Sequence, residues 1–377
     1  MDFDLTWLLW GLPIAFGLGW AASRLDLRQL RIENRLAPKA YFRGLNFLLN
    51  EQQDQAIDAF IEAVQNDPDT SELHFALGNL FRRRGEYERA VRVHEHLLSR
   101  GDLSRADRHR AQHALALDYL KAGLLDRAEE ALRKLDGTPY EQESLLALLA
   151  IYERSRDWAQ ATDIARKLEA GARGQFTGRL AHYLCEQAAA APPPEAEELL
   201  RKAINVAPRA PRATMDLAAL RRKAGDAAGA FELLARLVQD VPAAVPLLAR
   251  PLTDAATACG RQAQALQVLR ASYEHQPSLD VLDGIATLEP DPVAARNWYV
   301  QHLKREPSLV AAAKWIAGEK LEHEQFHPDV QRALDTAVRP LTRYRCAACG
   351  FEAKQHFWQC PGCQAWDSYP ARRVEEL

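Results

Sequence analysis

Apolar positions along the chain fall into two patterns. The first is a continuous run, Leu5 to Ala22, in which eighteen successive positions carry no charge. As a helix it would reach about 27 Å, near the thickness of a bilayer's hydrocarbon core. Trp7, Trp10 and Trp20 lie toward its ends as interfacial anchors would, and Pro13 is tolerable in a lipid-embedded helix. A cleaved signal peptide is the competing reading, with Ala21-Ala22-Ser23 as its cleavage site. The flanks argue against it: Asp2 and Asp4 precede the run, whereas Arg24, Arg28, Arg31, Arg35 and Lys39 follow it. This charge order predicts a retained single-pass anchor over 1–23, N-terminus outside and body cytoplasmic. The basic residues recur at steps of 4, 3, 4 and 4, so on a continuing helix (24–37) they form one cationic stripe. That stripe reads either as a stop-transfer signal with a solvated face or as a surface for anionic headgroups or a membrane-embedded partner, and one stripe can do both.

The second pattern, from Pro38 to about residue 307, is amphipathic with a helical period, and it repeats. Ala56, Ala90, Ala128, Ala161, Ala196, Ala230, Ala265 and Ala295 are spaced 34, 38, 33, 35, 34, 35 and 30 apart, each early in an apolar segment. Gly44 and Gly78 lie twelve before their alanines, and Phe47, Phe81, Tyr119 and Tyr152 nine before theirs. Pro68, Pro208, Pro242, Pro277 and Pro307 lie twelve after. The pattern resembles the tetratricopeptide repeat, a 34-residue helix–turn–helix unit. Small residues suit the crossing of paired helices, and Pro ends the second helix. Eight units are predicted. Later units carry Ala116, Leu149, Leu184 and Ala218 where the first two have glycine, so their hairpins are expected to cross less closely.

Such hairpins stack into a superhelix whose concave face usually holds another protein. First-helix positions nominate Tyr41, Leu45, Leu48, Phe75, Asn79 and Arg82 as groove-facing candidates, an apolar anchor set beside amide and guanidinium groups. Ordinary lining between repeats is the competing reading for each. Ala188 to Pro194 (AAAAPPP) and Gly171 to Gly178 read as hinges or long turns that divide the array into two semi-rigid parts.

Composition narrows the function. At 377 residues the chain is too long for one core. A formal net charge of -3 argues against a general nucleic-acid binder. Four of the six cysteines cluster, Cys346 and Cys349 in one C-x-x-C pair and Cys360 and Cys363 in a second. Paired C-x-x-C spacing is the signature of tetrahedral S4 coordination of one ion, with zinc and iron equally suited. Gly350 follows the first pair, and Pro361 and Gly362 lie inside the second, turn residues that let backbone N–H groups point at sulfur. Two disulfides are the alternative. Cys185 and Cys259 fall in helical patterns as small core residues. The histidines are scattered without metal spacing, and no Gly-rich phosphate loop, G-x-S-x-G elbow or H-E-x-x-H occurs, so no catalytic residue is assigned.

Taken end to end, the chain resembles the lipopolysaccharide assembly protein B family of Gram-negative inner-membrane proteins. The order of anchor, repeat array and four-cysteine module carries the resemblance, with Gly350, Phe351, Trp358 and Trp366 beside the cysteines. It implies an all-α tetratricopeptide-repeat superhelix over 38–340, an N-terminal transmembrane helix, and a rubredoxin-like metal module over 341–377. It also implies a non-enzymatic inner-membrane adaptor that restrains lipopolysaccharide production by bringing the lipid A pathway deacetylase to the membrane protease FtsH. Other lipopolysaccharide assembly or regulatory membrane proteins are further implied partners, and homodimer formation stays open. The alternative is an iron-dependent redox or electron-transfer protein on a repeat scaffold. The module is too small to bury a core alone, so metal and contact with the array should both support it.

Overall fold

A computed structural model describes residues 14–20, 39–67, 69–171, 175–319 and 324–377. They are mostly helical and divide into two compact units, the first ending at Ser155 and the second beginning at Arg156.

The first unit holds α1 (39–49), α2 (Gln53–Asn66), α3 (Ser71–Arg84), α4 (Tyr87–Ser99), α5 (Arg105–Ala122), α6 (Leu125–Arg133) and α7 (Glu141–Ser155). From α2 onward each helix packs on the next. Ala56, Ala90 and Ala128 are fully buried, each early in the second helix of its pair. Opposite them the first helices approach closely. A Cβ on Gly44 would lie 2.8 Å from the Phe60 ring, and one on Gly78 would lie 2.5 Å from His94 Nε2. His94 is held there by a hydrogen bond of 2.5 Å to Asp118, whose other oxygen accepts from Arg82 at 2.8 Å. His94 and Asp118 are both fully buried, so this charged network ties α3, α4 and α5 together at their centre.

The second unit continues with α8 (Trp158–Ala170), α9 (Thr177–Ala190), α10 (Pro193–Val206), α11 (Pro211–Lys223), α12 (Ala227–Asp240), α13 (Val245–Cys259), α14 (Gln262–His275), α15 (Leu279–Leu288), α16 (Pro292–Arg305), α17 (Leu309–Ala317) and α18 (His327–Val338). Ala161, Ala196, Ala230 and Ala265 are buried early in second helices, as in the first unit, and Cys185 is buried beside Ala181 and Ala188. Ala295 is only half-buried, because in α16 His302 alone is buried. A large apolar cluster runs from α11 to α17.

One expectation falls differently. AAAAPPP is a tight turn: α9 continues to Ala190, Pro192 caps α10, and Ala188 and Ala196 share one cluster. Proline at the first turn of a helix gives up an N–H that would have no helical partner anyway, so the three prolines start α10. The division between units lies instead at 155/156, where Arg156 takes φ 58°. Of the apolar run from Leu5 to Ala22 the described part, 14–20, is helical, with Ile14, Phe16, Leu18 and Trp20 exposed. Among the described residues no helix is long and apolar enough to cross a membrane. The rest of that run, with Arg24, Arg28, Arg31 and Arg35, lies outside the described residues, as does Pro68.

Candidate metal centre

After α18 the chain enters a small module built on two short antiparallel strands, β1 (Tyr344–Arg345) and β2 (Glu352–Ala353), with Tyr344 opposite Ala353. Cys346 follows β1 directly. Its N–H donates to Phe351 O and its C=O accepts from Gly350 N, both at 2.9 Å, which folds the first C-x-x-C into a tight loop. Gly350 sits at φ 78°, a left-handed conformation that glycine adopts without steric cost. The second loop repeats the design: Cys360 N donates to Ala365 O and Gln364 N to Cys360 O, again at 2.9 Å. Here the left-handed residue is Gln364, at φ 63°, and Gly362 serves a different end. A Cβ on Gly362 would lie 3.4 Å from Phe351, so its place is against the first loop.

The two loops bring the four sulfurs within 4.8 Å of one another. Cys346 Sγ lies 3.8 Å from Cys363 Sγ, and Cys349 Sγ 3.7 Å from Cys360 Sγ. A disulfide requires about 2.05 Å, so these are not disulfides. Four sulfurs each about 2.3 Å from a central ion would stand about 3.8 Å apart at the corners of a tetrahedron, so the donor set fits one zinc or iron ion. Ready loss of the thiol proton favours binding at two of the four. Burial opposes ionisation of Cys346, but the Ser368 hydroxyl and the N–H groups of Cys349 and Ala348 outweigh it and bring the thiol down to about 6. Cys360 is likewise buried yet lowered, by the N–H groups of Cys363 and Gly362. At Cys349 the N–H of Phe351 favours the thiolate, but burial and the neighbouring sulfurs push the thiol up to about 12. Four thiolates closing on one ion leave no open position for a substrate.

The module is anchored on its own unit at two places. Trp366 stacks on His182 of α9, ring centroids 4.8 Å apart, and Tyr183 and Trp158 meet the same indole edge-on. His182 Nε2 is 2.8 Å from Asp367 Oδ1. At the other place Arg373 grips Asp280 with two bonds of 2.8 Å and lies over the Tyr344 ring. Glu376 accepts from Leu279 N, and Glu375 from Leu309 N and Ser308 Oγ, so the last residues cap α15 and α17.

The groove-facing candidates lie in the first unit. Tyr41, Leu45 and Leu48 are half-buried on α1, where Tyr41 meets Phe60 edge-on. Phe75 is 1% exposed and packs on Leu97 and Ala111, with the Arg110 guanidinium over its ring. Asn79 accepts from Arg82, which is committed to Asp118 and to Ala114 O. Sequence reasoning did not find Ser368 or His182. Neither stands in a spacing pattern, since the contact between His182 and Asp367 joins positions 185 apart.

Comparison with known proteins places the module and the whole chain. The rubredoxin metal binding domain family matches residues 344–369. Over 390 residues the chain is 31% identical to lipopolysaccharide assembly protein B of Escherichia coli (strain K12), covering 99% of this chain and 100% of that protein. It is 28% identical over 392 residues to the protein of the same name from Haemophilus influenzae, covering 97% of each. Among solved structures it is similar to a tetratricopeptide repeat protein from Parabacteroides merdae, at 16% identity and a TM-score of 0.35, covering 67% of this chain and 99% of that one.

Proposed function

The chain belongs to the lipopolysaccharide assembly protein B family, and from that premise we propose that it is an inner-membrane adaptor of lipopolysaccharide synthesis and assembly. In this reading residues 1–23 are the anchor, and Arg24, Arg28, Arg31 and Arg35 meet the membrane surface. The helical array recruits the lipid A pathway deacetylase for proteolysis by FtsH, and one ion on Cys346, Cys349, Cys360 and Cys363 holds the module in shape. Tyr41, Leu45, Leu48, Asn79 and Arg82 are the partner-facing candidates that keep accessible surface, whereas Phe75 is buried. The observation that carries the reading is the relationship along the full length, in which helical array and metal module occur together. The role is non-enzymatic, with binding and tethering as its chemistry.

The test is the half-life of the deacetylase in cells with and without the chain. Loss of the chain should lengthen it severalfold, and an unchanged half-life would contradict the reading. The exposure of Cys349 and Cys363 favours a second reading, an iron site that exchanges electrons at the surface. A reversible one-electron couple in the purified protein is its expected signature.

A further inference from the structure

Where the module meets α15 and α17 there is a cavity of about 520 Å³. Its walls come from three parts of the second unit: Asp280 and Asp283 of α15 with Lys314 of α17, Arg339 just beyond α18, and Arg343, Lys354 and Arg373 of the module. The balance of charge is five cations against two carboxylates, and both carboxylates are engaged. Asp280 takes the Arg373 fork, and Asp283 takes Lys314. Glu352 lies 3.6 Å from Arg343 but gives its closer contacts, 2.8 and 2.9 Å, to Arg345. Arg339 and Lys354 have no carboxylate partner among the described residues, and both are exposed. Among its lining residues the concavity therefore carries a surplus of three positive charges, two of them unpaired, beside the Asp280–Arg373 and Asp283–Lys314 pairs.

We propose that this cavity binds a compact phosphate-bearing anion, held by Arg339, Arg343 and Lys354. Guanidinium groups match phosphate oxygens two at a time, and a phosphate ester or diphosphate carries two or three charges on one small group, as the surplus requires. A peptide carboxylate carries one charge and would need several neighbours converging in the same space. The volume is ample for phosphate with a modest organic group attached. Because array and module each supply part of the wall, the bound anion would tie them together and favour the docked module in proportion to its occupancy. The inference is independent of the adaptor reading.

The test is calorimetric titration of the purified, metal-loaded full chain with sodium pyrophosphate at low ionic strength. One saturable site is expected. Arg339→Glu and Lys354→Glu should each weaken it at least tenfold, and the milder Arg339→Gln and Lys354→Gln several-fold. All four should keep the helical circular dichroism of the parent, and Lys202→Glu on α10 should bind as the parent does. Phosphatidic acid vesicles identify the source: Lys354-dependent retention on them points to a lipid phosphate, and pyrophosphate binding alone to a soluble one. The proposal is overturned if neither phosphate probe binds in a way that depends on Arg339 and Lys354. It is equally overturned if citrate or a hexaglutamate peptide binds there as tightly as pyrophosphate.

Discussion

At Gly78 the absence of a side chain is what lets α3 meet α4, because the space a Cβ would need is taken by His94 Nε2 at 2.5 Å. His94 cannot swing aside, since Asp118 and the Phe75 ring hold it in a fully buried position. Gly78→Ala is therefore expected to destabilise the first unit by about 1–3 kcal/mol through overpacking. Asp118→Ala, which removes the carboxylate that Arg82 and His94 share, should cost about 3–5 kcal/mol. Urea denaturation of each variant measures both, and a neutral Gly78→Ala would show that α4 can shift. In the module, Cys346→Ser should drop the metal content of protein purified without chelator from about one ion per chain toward zero, because binding energy is folding energy in so small a unit. Elemental analysis reads it directly, with Cys185→Ser as the control that keeps its ion. A folded parent chain that contains no metal would refute the expectation. The four ligands were legible because paired C-x-x-C spacing is local. Gln364 was not, since a non-glycine residue at positive φ leaves no mark in sequence, whereas Pro361 and Gly362 are turn residues by type.

At the level of elements, the final residues act as caps for helices far away in sequence. Glu375 reaches the N–H groups of Leu309 and Val310, and Glu376 that of Leu279, while the caps on the helices themselves, Ser308 and Ser278, bond Ala311 and Val281. A carboxylate at a helix N-terminus satisfies donors that have no partner within the helix and meets the positive end of its dipole. Glu375→Ala should thus cost about 0.5–2 kcal/mol, the range for losing a cap. Its readout is a lowered thermal midpoint with faster proteolysis near Leu341, where the module joins α18. Unchanged cleavage would mean that the remaining contacts, the Trp366–His182 stack, the Arg373–Asp280 fork and Glu376, keep the module docked without it. Helix pairs were readable because Ala56, Ala90 and their successors mark one crossing per repeat, and packing demands a small residue there. The module's docking was not, because it is made by single residues, Trp366 on His182 and Arg373 on Asp280, whose partners lie about a hundred or more positions away and obey no period. AAAAPPP misled for a related reason: proline marks both breaks and helix starts, and local sequence does not distinguish them.

For the whole molecule, the adaptor reading requires its parts to have separable roles, which makes the anchor the most informative part to remove. Confining two weakly interacting proteins to one surface raises their effective concentration, often toward mM for short connections, without any new contact. Each described unit buries its own apolar clusters, α1 to α4 in the first and α11 to α17 in the second, so a fragment beginning near Pro38 should fold. Such a fragment should bind the deacetylase in vitro about as well as the full chain does, yet at native expression leave its half-life in cells severalfold longer. Overexpression should restore turnover in part, because mass action can replace confinement but confinement cannot be replaced by a contact that was never lost. Cys346→Ser on the anchored chain should fail in another way, with membrane localisation kept and binding weakened as the module leaves α9 and α15. Measuring half-life and pull-down together separates the two failures. If the anchorless fragment at native level restores turnover fully, tethering is not part of the mechanism, and the work of the chain must be sought in the array and its module alone.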